Sequence, residues 1–282
     1  MSKPTPFPDL PKSGITFPNS PITAAAFAYT QQHTTEPVYN HCVRSAYWAL
    51  ILAHNLPAFA AADSDGRKPD LETVVLACVL HDMGWASTPG LRSKDRRFEV
   101  DGADIAKRWV REYVKEREHD HKHDHDHDGA AAKEGGGKWD AHRQDLIWSS
   151  IALHTTGSIA LHAAPETALA HLGIMADFAG PLFPGGAISE AAYREVLGLF
   201  PLAGFDSAAC KEILCGICRD KPATTFDNFV SEFGREFGLD GKGGGKEEFR
   251  REWEEALPSK KLLSGLDYLN ELVKEGQGGK GE

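Results

Sequence analysis

The chain has 282 residues, with 31 Lys and Arg against 41 Asp and Glu and a formal net charge of −10. That length buries a sizeable core in one domain or two, while the acidic balance argues against a nucleic-acid surface, which needs a basic face. No apolar run is as long as a membrane span, and prolines stand where a signal peptide carries its apolar stretch, so the expectation is a soluble cytoplasmic protein.

Residues 1–21 carry six of the sixteen prolines and read as an extended arm over the surface. The spacing predicts a first helix over Ile22 to His33, a break at Thr34-Thr35-Glu36-Pro37, and a second helix running to about Asn55 with Val43, Tyr47, Leu50, Ile51 and His54 on its core face. His41 lies in the first turn of that helix, just off the stripe. A polar turn over Asp63 to Asp70 leads into a helix from Leu71 to His81. There Leu71, Val74, Val75 and Cys78 share a face with Asp82, so a carboxylate sits on the stripe that should be buried. A lone buried carboxylate neutralises, pairs or binds a metal, and His81 beside it favours a metal.

Ser87-Thr88-Pro89-Gly90 ends that element, and Arg92, Lys94, Arg96 and Arg97 follow as a solvated loop or an anion anchor. A further helix runs from Val100 to about Arg117. In 118–138, histidines alternate with mostly acidic residues before an Ala/Gly/Lys stretch; no apolar face exists to bury, which predicts a disordered insertion. Trp139 to His154 is the next helix, leaving His154 in its last turn. Pro165 starts another, apolar almost all round, in which Asp177 shares a face with Ala170, Gly173 and Ile174; the small residues permit close approach by a neighbour, and the carboxylate suits a metal or a buried salt bridge.

Helices over Ser189 to Leu199 and Ala208 to Cys218 follow. The five cysteines, an odd number, do not form a disulfide framework, and Cys215-Gly-Ile-Cys218 stands without a second ligand pair. Phe226, Phe229, Phe233 and Phe237 recur at helical spacing as core or docking residues. The Gly-Lys run 241–246 lacks the spacing of a phosphate loop. A last helix covers about Lys260 to Lys274, with 274–282 a flexible tail. No boundary divides 22–273, which reads as one helical fold, and the absence of sustained period-two alternation makes it all-α.

His41, His81, Asp82 and Asp177 form an ordered H…HD…D pattern, two imidazoles and two carboxylates on three helices, suited to Zn²⁺, Fe²⁺ or Mn²⁺. The pattern resembles the signature of HD-domain metallohydrolases. Asn40-His41-Cys42-Val43-Arg44, Leu80-His81-Asp82, Arg97-Phe98-Glu99 and Ile174-Met175-Ala176-Asp177-Phe178 are further similar to blocks of the fungal-type cyanamide hydratase branch of that superfamily, over about Tyr29 to Cys218. The resemblance implies an HD-domain helical bundle with a metal site between helices and one zinc held by His41, His81, Asp82 and Asp177, with Fe²⁺ or Mn²⁺ the less favoured ions. It implies the addition of water to cyanamide to give urea, with Asp82 or His154 moving the proton and Phe98, Glu99, His154 and Trp85 around the substrate. His81-Asp82-Met83-Gly84-Trp85 lacks the lysine that follows the HD glycine in cyclic-dinucleotide phosphodiesterases. The alternatives are a nucleotide phosphohydrolase, for which the basic stretch 92–97 speaks, a hydratase of a related small nitrile or isocyanide, and a non-catalytic module that keeps the metal. The partner is thus a small molecule, with no nucleic acid and no membrane, and a homo-oligomer is left open.

Overall fold

The computed structural model describes residues 7–61, 68–123 and 139–278. It is helical throughout; among the described residues the one β contact is an isolated bridge between Leu10 and Ile15. By its internal contacts the chain divides into two compact units, Met1–Phe205 and Asp206–Glu282. The division falls in a tight turn, with Ala203 at φ 52° and Gly204 at φ 87°. The reading of 22–273 as one fold marks no boundary there.

The first unit is built on α1 (Pro21–His33), α2 (Glu36–Asn55), the single turn α3 (Pro57–Ala60), α4 (Leu71–Leu80), α5 (Phe98–His123), α6 (Ala141–Ala152), the single turn α7 (Gly157–Ala160), α8 (Pro165–Ala179) and α9 (Glu190–Leu199). Helix α2 is the hub, packed against α8, α4 and α1. It is buried from Asn40 through Ala53. His54 is exposed, at the solvent end of the expected core face. Pro37 begins this helix rather than breaking it, since proline in a first turn gives up only an N–H that has no helical partner. Gly173 allows α8 to lie on α2: a Cβ there would come 2.7 Å from the Ser45 carbonyl oxygen and 2.6 Å from Ala49 Cβ.

Helix α4 is capped by Asp70, whose carboxylate accepts from the Glu72 and Thr73 amides. Arg143 of α6 holds the same end, pairing with Asp70 and with Glu72 at 2.7 Å each. Expected as an extended surface arm, the N-terminal segment from Phe7 on turns back on itself through the Leu10–Ile15 bridge and is not superficial. Phe7, Leu10, Ile15 and Phe17 are buried in the core, and Tyr47 Oη donates to the Pro8 carbonyl at 2.9 Å. Helix α5 runs on to His123, past the expected end near Arg117 and into the segment 118–138 read as disordered; residues 124–138 of that segment lie outside the described residues.

The second unit holds α10 (Ser207–Asp220), α11 (Val230–Phe237), α12 (Lys246–Ala256) and α13 (Pro258–Gly278). Gly234 of α11 makes room for the Phe249 ring of α12. Trp253 of α12 donates to the Phe226 carbonyl at 3.1 Å while Arg235 stacks on its indole. Cys215 and Cys218 are free thiols within α10, and Cys218 lies 3.2 Å from the Val230 carbonyl oxygen. Helix α13 continues through the first residues of the stretch 274–282 read as a tail, and 279–282 lie outside the described residues.

Candidate metal centre

Helix α4 stops at Leu80, and a 3₁₀ turn over His81–Trp85 carries the His-Asp pair. Asp82 leaves helical geometry at φ −92°, ψ 18°, which turns its side chain out of line with the α4 stripe. Two glycines bring α5 onto this turn. A Cβ on Gly84 would lie 2.0 Å from the Phe98 carbonyl oxygen, and one on Gly102 would lie 2.6 Å from the His81 carbonyl oxygen. The first residues of α5, Phe98 and Glu99, are thereby set beside the His-Asp turn.

His41, His81 and Asp82 converge there, all buried, as a group whose ligand atoms lie within 4.8 Å of one another. His41 Nε2 is 3.2 Å from His81 Nε2 and 3.7 Å from Asp82 Oδ2, and His81 Nε2 is 3.2 Å from Asp82 Oδ2. Ligand atoms bound at normal zinc distances with tetrahedral angles lie ~3.4 Å apart, so the spacing fits one ion. Tautomers agree with that. His41 Nδ1 faces Asp177 Oδ2 at 2.7 Å and His81 Nδ1 faces the Cys78 carbonyl oxygen at 2.6 Å, so both Nδ1 atoms carry the donated proton. Two Nε2 lone pairs are left facing each other. Neither oxygen of buried Asp82 has a hydrogen-bond partner. Facing lone pairs beside an orphaned carboxylate call for a cation. In the metal-free protein a proton takes that part: burial opposes charge on His81, but the Asp82 carboxylate outweighs it and raises the imidazole pKa well above its ordinary value.

Asp177 is near this trio without joining it. Its Oδ1 accepts from Arg44 Nε and Trp48 Nε1, and its Oδ2 from His41 Nδ1 and Arg44 Nη2, all at 2.7 Å. The carboxylate therefore stands at the Nδ1 edge of the His41 ring, opposite the nitrogen that faces His81. Burial alone would raise its pKa, but the bonds from His41 and Arg44 hold it well below the usual carboxylate range. The sequence reading gave Arg44 and Trp48 no role. Their signal was there, since Arg44 and Trp48 stand three and seven residues after His41 on one face of a buried helix. The ring of Phe205 stacks on His41 at 4.4 Å and closes its other side.

His154 follows α6, with Nδ1 2.6 Å from the Ile151 carbonyl oxygen and its ring 4.9 Å from that of His81. Burial and the neighbouring His81 charge lower its pKa to about 4, so it is a neutral imidazole near neutral pH. The Phe98 ring lies between His154 and Trp85, 5.6 Å and 5.4 Å away. Glu99 is fully buried; its Oε1 accepts from Thr155 Oγ1 at 2.7 Å and Arg97 Nη2 at 3.0 Å, while Oε2 has no partner. The buried Trp85 Nε1 donor has none either. The structure thus gathers His41, His81, Asp82 and His154, with Phe98, Glu99 and Trp85 along one side. His171 is a packing residue, its Nδ1 2.6 Å from the His154 carbonyl oxygen.

The sequence matches the HD domain family over residues 38–177, a span that runs from the start of α2 to Asp177 and includes His41, His81 and Asp82. No curated protein matches the chain. No described helix is long and apolar enough to cross a membrane. An all-helical core, a buried His-His-Asp trio with ligand spacing and the family match over the same residues agree: residues 38–177 match an HD domain, a family whose members are typically metal-dependent hydrolases.

Proposed function

We propose that the chain is a metal-dependent hydro-lyase that adds water to cyanamide, giving urea, with a single zinc ion held by His41, His81 and Asp82. The observation that carries this reading is Glu99 Oε2, a buried acceptor without a partner beside His154. Such an oxygen suits the N–H of a small amine and repels a phosphate. The basic stretch that favoured a nucleotide is partly spent: Arg96 pairs with Asp104, and Arg97 with Glu99 itself.

His41, His81 and Asp82 would hold a divalent ion, which would supply Lewis acidity and lower the pKa of water. The neutral Nε2 of His154 is placed to take a proton from water as it adds to the nitrile carbon and to return that proton to the nitrile nitrogen. The product is isourea, and a proton shift from oxygen to nitrogen yields urea. Glu99 Oε2 receives the substrate amine and orients the carbon, while Phe98 and Trp85 wall the site. Asp82 serves as ligand rather than shuttle in this scheme. Asp177 acts through His41, fixing its tautomer so that the Nε2 lone pair would be free to hold an ion. A related small nitrile or isocyanide would use the same groups.

The test is to purify the protein, measure its bound metal, and incubate it with cyanamide while assaying urea. Urea formation that stops on chelation and returns with zinc is expected. A metal-loaded protein that releases phosphate from nucleotides and makes no urea overturns the proposal.

A further inference from the structure

We propose that α13 is a self-association helix, pairing antiparallel with α13 of a second copy of this chain. The proposal is independent of the metal site and its reaction. The helix has 21 residues, and its apolar side chains are bare: Leu262 is 69% exposed, Leu263 63%, Leu266 58%, Leu269 55%, Leu272 45% and Val273 58%. Leu262, Leu266, Leu269 and Val273 follow steps of four, three and four, the spacing of a coiled-coil seam. Leu263 and Leu272 widen the stripe on either side, and the charged residues occupy the opposite half of the helix.

The occupant follows from the stripe's own symmetry. Two copies set antiparallel about an axis between residues 267 and 268 place Leu262 opposite Val273 and Leu266 opposite Leu269, so the four-residue seam is complementary to itself. Leu272 then comes over Gly265 of the second copy. A Cβ at Gly265 would meet nothing within 4 Å in its own chain, and the missing side chain leaves room for the leucine. The same register sets the Lys260-Lys261 end of one helix beside the Glu271 to Glu275 end of the other, whereas a parallel pair puts like ends together. Covering the six side chains in both copies removes on the order of 1,000 Å² from water, the size at which specific interfaces begin. A lipid surface fits less well, because Asp267, Glu271 and Glu275 balance Lys260, Lys261 and Lys274 on the polar half where a membrane-surface helix is cationic.

The test is sedimentation of the full chain over a range of concentrations, beside the double variant Leu266→Glu, Leu269→Glu. The wild type should be a dimer, and the variant a monomer whose dimer dissociation constant is raised at least 100-fold. Helical content by circular dichroism and bound metal should be unchanged in the variant, which separates lost pairing from lost folding. Mixed Leu266→Cys and Leu269→Cys chains should form a 266–269 disulfide on oxidation, located by peptide mapping. A wild type that stays monomeric up to its solubility limit, or a variant that still dimerises, overturns the proposal. So does a monomer that floats with phosphatidylglycerol vesicles, and a 266–266 disulfide within Leu266→Cys alone overturns the antiparallel arrangement.

Discussion

Four donor contacts converge on the two oxygens of Asp177, which leaves that carboxylate no vacant lone pair aimed at a neighbouring ion. Its effect on a metal then runs through His41, whose Nδ1 proton it holds. Asp177→Asn should weaken metal binding by ~10–100-fold, the usual cost of losing a partner of a ligating histidine. Asp82→Ala should abolish stoichiometric binding, because it removes the orphaned carboxylate itself. Competition with a chromophoric chelator distinguishes the two, at a temperature where circular dichroism shows both variants folded. If Asp177→Asn loses metal as completely as Asp82→Ala, Asp177 is a ligand. The difference between the expected four-ligand set and the observed trio has a plain cause. Sequence places Asp177 on the helix face that meets α2, but the competition of Arg44 and Trp48 for its oxygens is a matter of Å, set by how closely α8 lies on α2.

Among the elements, the contact of α5 with the His81–Trp85 turn decides where the substrate-side residues stand. Gly84→Ala places a methyl group 2.0 Å from the Phe98 carbonyl oxygen, with backbone on both sides of the clash. The turn and the start of α5 must separate, at a cost of roughly 1–3 kcal/mol for overpacking. Metal content should survive, since His41 and His81 are held from α2 and by the Cys78 carbonyl. Turnover of the proposed substrate should fall ~100-fold or more, as expected when groups are displaced by about 1 Å. Gly198→Ala in α9, where a Cβ meets nothing within 4 Å, is the control and should match the wild type in both. Unchanged turnover in Gly84→Ala would separate Phe98 and Glu99 from the reaction. At this scale the sequence was informative where helical spacing was strong: α1, α2, α4, α6 and α8 lie close to their expected positions. It was silent on α12, because Lys246 to Ala256 is mostly charged and follows a glycine run, so no apolar period announced it. In the structure Phe249 and Trp253 anchor that helix, and Arg250 Nε donates to the Arg235 carbonyl at 2.8 Å. Glu99 was expected near the substrate; that one of its oxygens is taken by Thr155 and Arg97 and the other left free depends on loop geometry that no spacing encodes.

The described N-terminal segment, from Phe7 on, is tied to the hub helix. Prolines made 1–21 read as an extended surface arm, but in the described residues from Phe7 on the apolar side chains between the prolines fill the core. Phe17 is buried with its ring 4.9 Å from that of Tyr47, and its amide donates to Asp9 at 2.8 Å. Ser13 adds a hydroxyl bond to Glu195 of α9 at 2.7 Å, so the segment bridges α2 and α9. Phe17→Ala should therefore lower the unfolding free energy by ~3–5 kcal/mol, the usual cost of removing a buried phenylalanine ring. That is a large part of a typical domain's ~5–15 kcal/mol, so the variant should unfold at much lower urea. Tyr47 leaves α2 about 120° around the helix axis from His41. The variant should for that reason bind metal in full stoichiometry while it remains folded, and added zinc should recover part of the lost stability by binding the native state alone. Urea titrations of wild type and Phe17→Ala, each with chelator and with zinc, measure both effects. A shift below about 0.5 kcal/mol would return the segment to the surface. A loss of metal in the folded variant would mean that the segment and the HD turn are coupled through α2 rather than set on separate faces of it.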